Sequence, residues 1–316
     1  MKELLPLDLL LSPLALALLG LCIGSFLNVV IHRLPLILER QWWADVAHQL
    51  ADEESWRRVF GEGGHKAGPS PAHQLTAKTL GQAVDGLAPL SIASPRSRCP
   101  ACSHALRWHE NLPLIGWLKL KGRCSACATR ISARYPVVEL CTALLFGAIA
   151  WRFGAQPTTL LWCGFGAALV ALAMIDWDTT VLPDALTLPL LWAGLIAAAL
   201  DWTLPLPTAA WGAVAGYLSL WSVYWLFKLA TGKEGMGYGD FKMLAALGAF
   251  CGVAGLLPIV LLSSLIGAVV GGIWLAAKGR DRATPIPFGP FLAAAGWLQL
   301  VYGERILALW PGIGGP

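Results

Sequence analysis

The chain has 316 residues, of which 56% are hydrophobic and only 13% charged, with a formal net charge of +4 at neutral pH. A mean hydropathy of +0.61 excludes an ordinary water-soluble domain, and so small a positive charge gives no ground for a nucleic-acid partner. What remains is a polytopic protein that folds in a lipid bilayer.

An apolar run of roughly 17 to 25 residues is needed to cross the hydrocarbon core. Eight candidates follow one another at 9–31, 136–153, 158–175, 185–202, 208–230, 241–252, 256–277 and 287–303, the sixth being short and glycine-rich. The first contains Ala15-Leu16-Ala17, which resembles a signal-peptidase site, but its apolar character runs on to Ile31. That is too long for a signal core, so it predicts an uncleaved span. The fold class expected is therefore all-α and polytopic, with about eight transmembrane helices.

Charge orients these helices. If residues 32–135, 176–184, 231–240 and 278–286 share one side, 20 of the 23 Lys and Arg residues lie on or beside it, leaving Lys2, Arg152 and Arg305 opposite. By the positive-inside rule that side is cytosolic and the N-terminus faces outward.

The large cytosolic loop, 32–135, divides by composition. Between 38 and about 95 it mixes charges with Gly, Pro and Ser, including "GEGGHKAGPSP" at 61–71. An amphipathic helix at about 42–60 and a flexible linker after it are expected there, without chemistry. Beyond it, Cys99-Pro-Ala-Cys102 and Cys124-Ser-Ala-Cys127 form two C-x-x-C pairs 21 residues apart. Two such turns can close a tetrahedron of thiolates around a structural zinc ion, with no open position. Disulfides compete, but a cytosolic location keeps thiols reduced. His104 or His109 could replace one cysteine. Cys22, Cys141, Cys163 and Cys251 are isolated in apolar runs and read as packing residues.

Ionisable residues at membrane depth are costly, so the carboxylates of the second half are candidates for function. Asp176, Asp178 and Asp184 follow the third run within nine residues, and Asp240 ends the stretch Gly235-Met-Gly-Tyr-Gly-Asp240 after the fifth. No histidine occurs in 136–316, so a Ser-His-Asp triad or a His-based metalloprotease site cannot be built from that half alone. Two close carboxylates share a proton, and such a pair can activate water and polarise a carbonyl without a metal. Gly235, Gly237 and Gly239 would let the backbone adopt positive φ and approach a substrate strand. A flexible connector with Asp240 capping a helix, and a carboxylate-lined path for ions or protons, are the other readings of these residues. Spacing and context both argue against a phosphate loop.

Taken together the chain resembles the type IV prepilin peptidases. The resemblance rests on Gly24-Ser-Phe-Leu-Asn-Val-Val-Ile-His-Arg-Leu-Pro35, the two C-x-x-C pairs, Ile131-Ser-Ala-Arg-Tyr-Pro-Val-Val-Glu139, Asp176-Trp-Asp-Thr-Thr-Val-Leu-Pro-Asp184 and Gly235-Met-Gly-Tyr-Gly-Asp-Phe-Lys242. It covers nearly everything except about 44–95, the long insertion in which this chain departs from the commoner pattern. It implies a bacterial inner-membrane enzyme with Asp176 and Asp240 as catalytic pair, and with Asp178, Asp184, Gly237 and Gly239 in support. The substrates implied are prepilins and pseudopilins, cleaved at the cytosolic face. The new N-terminus would then be methylated with S-adenosylmethionine as donor. Three parts follow: a first span, 1–31; a cytosolic domain with the zinc-ribbon-like loop, 32–135; and a peptidase domain, 136–316. The residues do not locate the donor's pocket; Asn28 and Glu139 are the polar groups to test, although helix packing explains either. A polytopic transporter or channel is the alternative from another class. A presenilin-type protease would put tyrosine before the first aspartate, where this chain has Ile175.

Overall fold

The computed structural model describes residues 7–60, 69–278 and 286–308. Lys2, the glycine-rich segment 61–68, Arg280 and Arg282 lie outside the described residues. Among the described residues, every regular element is a helix: α1 (Leu7–Leu10), α2 (Pro13–Ala51), α3 (Glu53–Phe60), α4 (Pro71–Asp85), α5 (Ile115–Lys119), α6 (Arg134–Phe153), α7 (Thr158–Thr179), α8 (Asp184–Ala199), α9 (Leu206–Thr231), α10 (Tyr238–Lys278) and α11 (Gly289–Ala308). Beta structure is limited there to two isolated bridges. Two compact units are present, one formed by the chain up to Ile31 and from Arg107 onward, the other by His32–Leu106.

Among the described residues, four helices are long and apolar enough to cross a membrane: α2, α6, α7 and α10 as far as Ile273. Apolar α8 has only 16 residues, and α9 carries Trp211, Tyr217, Trp221, Tyr224 and Trp225, whose polar tips suit an interface as well as a bilayer core.

The segment 32–135 is more helical than expected. No break follows the first span: α2 continues through Pro35 to Ala51 as one helix of 39 residues, and the predicted helix at 42–60 is its end plus the separate α3. Glu53 and Glu54 open α3, Arg57 and Arg58 close it, and Glu53 pairs with Arg57 at 3.0 Å. Part of the expected linker is also helix. Ser70 in extended backbone accepts the His73 N–H, and Pro71 fills the first turn of α4 where no amide hydrogen is needed. Within this unit Arg33 donates to the carbonyls of Ser91, Ile92 and Pro95, and Arg40 to that of Ala88, so 88–95 lies along α2.

In the other unit small residues bring helices together. A side chain at Gly20 would meet the Ala143 backbone at 2.8 Å, and one at Gly24 the Cα of Glu139 at 2.7 Å. This G-x-x-x-G edge seats α2 on α6. Gly212 and Gly216 of α9 likewise face the backbone of Gly248 and Leu244 on α10. The first stretch of α10 is the centre of the bundle: Phe241, Met243, Leu244, Ala246, Leu247 and Ala249 have no exposed surface, and α8, α9 and α11 pack around it. The sixth and seventh predicted runs are thus two helical stretches that abut at Gly252 (φ 67°, ψ 177°) without an intervening loop. Only glycine takes that backbone geometry without strain.

Candidate active site

The site begins with the phase of α7. Residues 176 and 178 are about 200° apart around a helix, so they cannot share a face. Asp176 continues the stripe of Phe165, Leu169 and Leu172, all buried, and is itself only 4% exposed. Asp178 faces outward, where its Oδ1 accepts from Arg134 at 2.6 Å with the side chain about one-third exposed. A second Arg134 nitrogen donates to the Met174 carbonyl at 3.3 Å. One guanidinium at the start of α6 therefore grips α7 on both sides of Asp176 in sequence.

The helix ends at Thr180, which takes left-handed backbone and returns its N–H to the Asp176 carbonyl. Four residues later α8 starts with Asp184, and both its oxygens lie 2.7 Å from Lys242 Nζ. Asp178 and Asp184 each thus have a cationic partner, while the described ion pairs leave Asp176 without one.

Asp240 lies in the first turn of α10 and is 7% exposed. Its N–H reaches the Gly237 carbonyl at 3.3 Å. Asp176 and Asp240, 64 positions apart in sequence, are both buried, and Leu182 packs against the glycine beside each of them, Gly289 and Gly239. The partial positive charge at a helix N-terminus favours carboxylates, and it supplies one direct donor: the first amide of α11, Gly289 N–H, binds Asp176 Oδ2 at 2.8 Å.

None of the three glycines takes positive φ, contrary to expectation, and two of them serve close approach. Gly235, Gly237 and Gly239 are absent from the left-handed region, which in this loop is taken by Gly232, φ 70°. A Cβ on Gly239 would meet that of Leu182 at 2.7 Å. One on Gly289 would meet Asp176 Oδ2 at 2.7 Å and Leu182 Cδ2 at 3.1 Å. Leu182, buried, thus wedges between two glycines that border the pair. Gly237 has room around it, its nearest neighbour being Asp240 Oδ2 at 3.9 Å. Sequence reasoning missed Gly289. Its available signal was Phe288-Gly289-Pro290, glycine before a proline where a helix starts.

The cysteines form a separate cluster. Around Cys99 and around Cys124 the backbone repeats itself: the cysteine N–H donates to the carbonyl five residues on (His104, Thr129), its carbonyl accepts from the residue four on (Ser103, Ala128), and that residue is left-handed. Arg98–Ala105 and Arg123–Arg130 bridge the bases of the two turns. The sulfurs of Cys99, Cys102, Cys124 and Cys127 all lie within 4.8 Å of one another. A tetrahedral Zn–S₄ centre with bonds of about 2.3 Å needs separations of about 3.8 Å, so this donor set fits a metal ion of that kind. By contrast, Asn28 donates to the Tyr135 carbonyl at 3.1 Å and Glu139 accepts the Leu114 N–H at 2.8 Å. Both are engaged by backbone.

A helical bundle with membrane-length helices and two buried aspartates on different helices defines a class of polytopic membrane protein with carboxylates in its core. Residues 18–153 match the bacterial peptidase A24 N-terminal domain, and residues 163–272 match the type IV leader peptidase family. A prepilin leader peptidase/N-methyltransferase of Stutzerimonas stutzeri is 50% identical over 292 residues, 92% of this chain and 90% of its own length. Relatives of the same name from Pseudomonas aeruginosa and Dichelobacter nodosus are 48% and 43% identical over 92% and 95% of this chain, and 90% and 96% of their own lengths. No solved structure matches significantly. The chain belongs to the type IV leader peptidase family and is an enzyme, a peptidase by family with relatives whose name also carries N-methyltransferase.

Proposed function

We propose that this enzyme removes the leader peptide of prepilins and pseudopilins and then methylates the new N-terminal amine, with S-adenosylmethionine as donor. The observation that carries the peptidase reading is the burial of Asp176 of α7 and Asp240 of α10, at helix ends joined through Leu182 and the glycines beside it, in a chain of this family. The pair holds one proton. The ionised carboxylate takes a proton from water as its oxygen attacks the scissile carbonyl, and the protonated one donates to the developing oxyanion. Collapse of the tetrahedral intermediate returns a proton to the leaving amine and frees the leader. Gly289 N–H orients Asp176, Arg134 and Lys242 hold the flanking Asp178 and Asp184, and the open space at Gly237 is where an extended substrate strand approaches.

Eight membrane crossings, an outward N-terminus and a cytosolic site at the inner membrane are the topology that agrees with the charge distribution. The three parts are the first span, the cytosolic domain 32–135 with a structural zinc ion on its four cysteines, and the peptidase domain 136–316. A transporter would want its carboxylates in mid-span, whereas these occupy helix ends.

The test is incubation of the detergent-purified full chain with a purified prepilin and labelled S-adenosylmethionine, followed by mass spectrometry of the product's N-terminus. A shortened, singly methylated product supports both activities, a shortened unmethylated one the first alone, and an intact prepilin neither. Gly289→Ala adds a geometric check. Its methyl would stand 2.7 Å from Asp176 Oδ2, forcing the carboxylate aside, and a misplacement of that order costs roughly 100-fold in rate. Cleavage at the parental rate by this variant would mean that the Gly289 contact does not orient the reacting group.

A further inference from the structure

The loop that delivers Asp240 contains Gly232, Gly235, Gly237 and Gly239, so its backbone has little rigidity of its own. Something outside it must hold it. The last turns of α9 do so. Lys228 Nζ lies 2.8 Å from Glu234 Oε1 and donates to the Tyr224 hydroxyl at 3.2 Å, with its ammonium over the rings of Tyr224 and Trp225 at 5.5 and 5.4 Å. Tyr224 is only 1% exposed. Its hydroxyl also accepts, at a long 3.5 Å, from Tyr238 in the Gly-Tyr-Gly-Asp sequence. The Tyr224 and Tyr238 rings are 5.2 Å apart, and both abut the fully buried Phe241 that follows Asp240.

An exposed ion pair by itself stabilises little. Here the same ammonium reaches a buried hydroxyl and two aromatic faces, and so fixes the loop near its start and, through Tyr224, at the residue two before the aspartate. The hydrogen bond from Lys228 holds the Glu234 carboxyl below the usual carboxylate range, so the pair is charged at neutral pH. We propose that Lys228 is a positioning residue for Asp240, tying the loop between α9 and α10 to Glu234 and Tyr224 so that the first turn of α10 presents its carboxylate to Asp176. The inference rests on Asp176 and Asp240 being the catalytic pair.

The experiment is steady-state cleavage of a synthetic prepilin peptide by the full-length enzyme in detergent, comparing parent, Lys228→Met, Lys228→Arg, Glu234→Gln and Lys228→Met/Glu234→Gln. Lys228→Met keeps the apolar stem and loses the charge. A positioning role predicts kcat lowered roughly 10- to 100-fold with KM within about twofold of the parent. It also predicts an unchanged thermal midpoint and recovery of most of kcat in Lys228→Arg. The double variant should be no slower than Lys228→Met, because both changes break one tie. Parental kcat in Lys228→Met overturns the proposal. So does a loss that follows the thermal midpoint and is not recovered by arginine. Asp240→Asn, run alongside, separates the two levels: if it is inactive while Lys228→Met is normal, only the role of Lys228 fails; if it cleaves normally, the catalytic pair fails and this inference with it.

Discussion

Leader removal is expected to fall by about 10³-fold or more when either Asp176 or Asp240 is replaced by asparagine, with the protein still inserting and purifying as the parent does. Asparagine keeps the shape of each side chain, and its amide oxygen can still accept the Gly289 N–H that now reaches Asp176. What is lost is the exchangeable proton, on which the chemistry depends. Asp178→Asn and Asp184→Asn bear on the assignment too. Each exposes a cation, Arg134 or Lys242, but removes neither member of the buried pair, so cleavage should fall far less. The rate of peptide cleavage across the four variants is the measurement. Full processing by Asp176→Asn or Asp240→Asn would sink the pairing, and equal losses at Asp176 and Asp178 would undo the distinction drawn from the phase of α7.

The second large effect concerns metal. The purified protein should carry about one zinc per chain, and Cys99→Ser with Cys124→Ser should lose essentially all of it. These are the buried members of the two turns, and serine is a poor ligand for zinc beside thiolate. Binding energy at a structural zinc site is folding energy, so limited proteolysis should cut the double variant within about 96–131 while the parent resists. Metal analysis and protease mapping read the two consequences separately. A metal-free parent that is nonetheless protease-resistant would refute the zinc assignment.

How far the sequence alone reached can be judged at particular residues. The apolar runs were legible because the bilayer demands length, and the C-x-x-C pairs because metal geometry demands spacing. The choice between Asp176 and Asp178 was not legible from the residues, and only the family resemblance favoured the first. Every position of α7 from Leu160 to Ile175 is apolar or small, so no polar face reveals which side of the helix looks inward. In the structure that side is defined by packing against α11, distant in sequence, as well as against α6. Gly289 escaped for the same reason, since its role depends on Asp176, 113 positions earlier. Helix α4 is different: Ser70-Pro71 announced it, and the surrounding glycine and proline masked a start signal that was local. The continuation of α2 past Ile31 had no signal to announce it, because Pro35 marks only a weak boundary.

The placement of Asp176 on the stripe of Phe165, Leu169 and Leu172 carries a consequence for how such a chain can change length. A helix has no angular slack: one residue inserted between Phe165 and Asp176 would swing the carboxylate by about 100° and carry it off the inner face. Deletions have the same effect in the opposite sense. Along this segment the gene can accept substitutions but hardly any insertion or deletion. The chain is therefore expected to vary in sequence along α7 while keeping its residue count up to the aspartate.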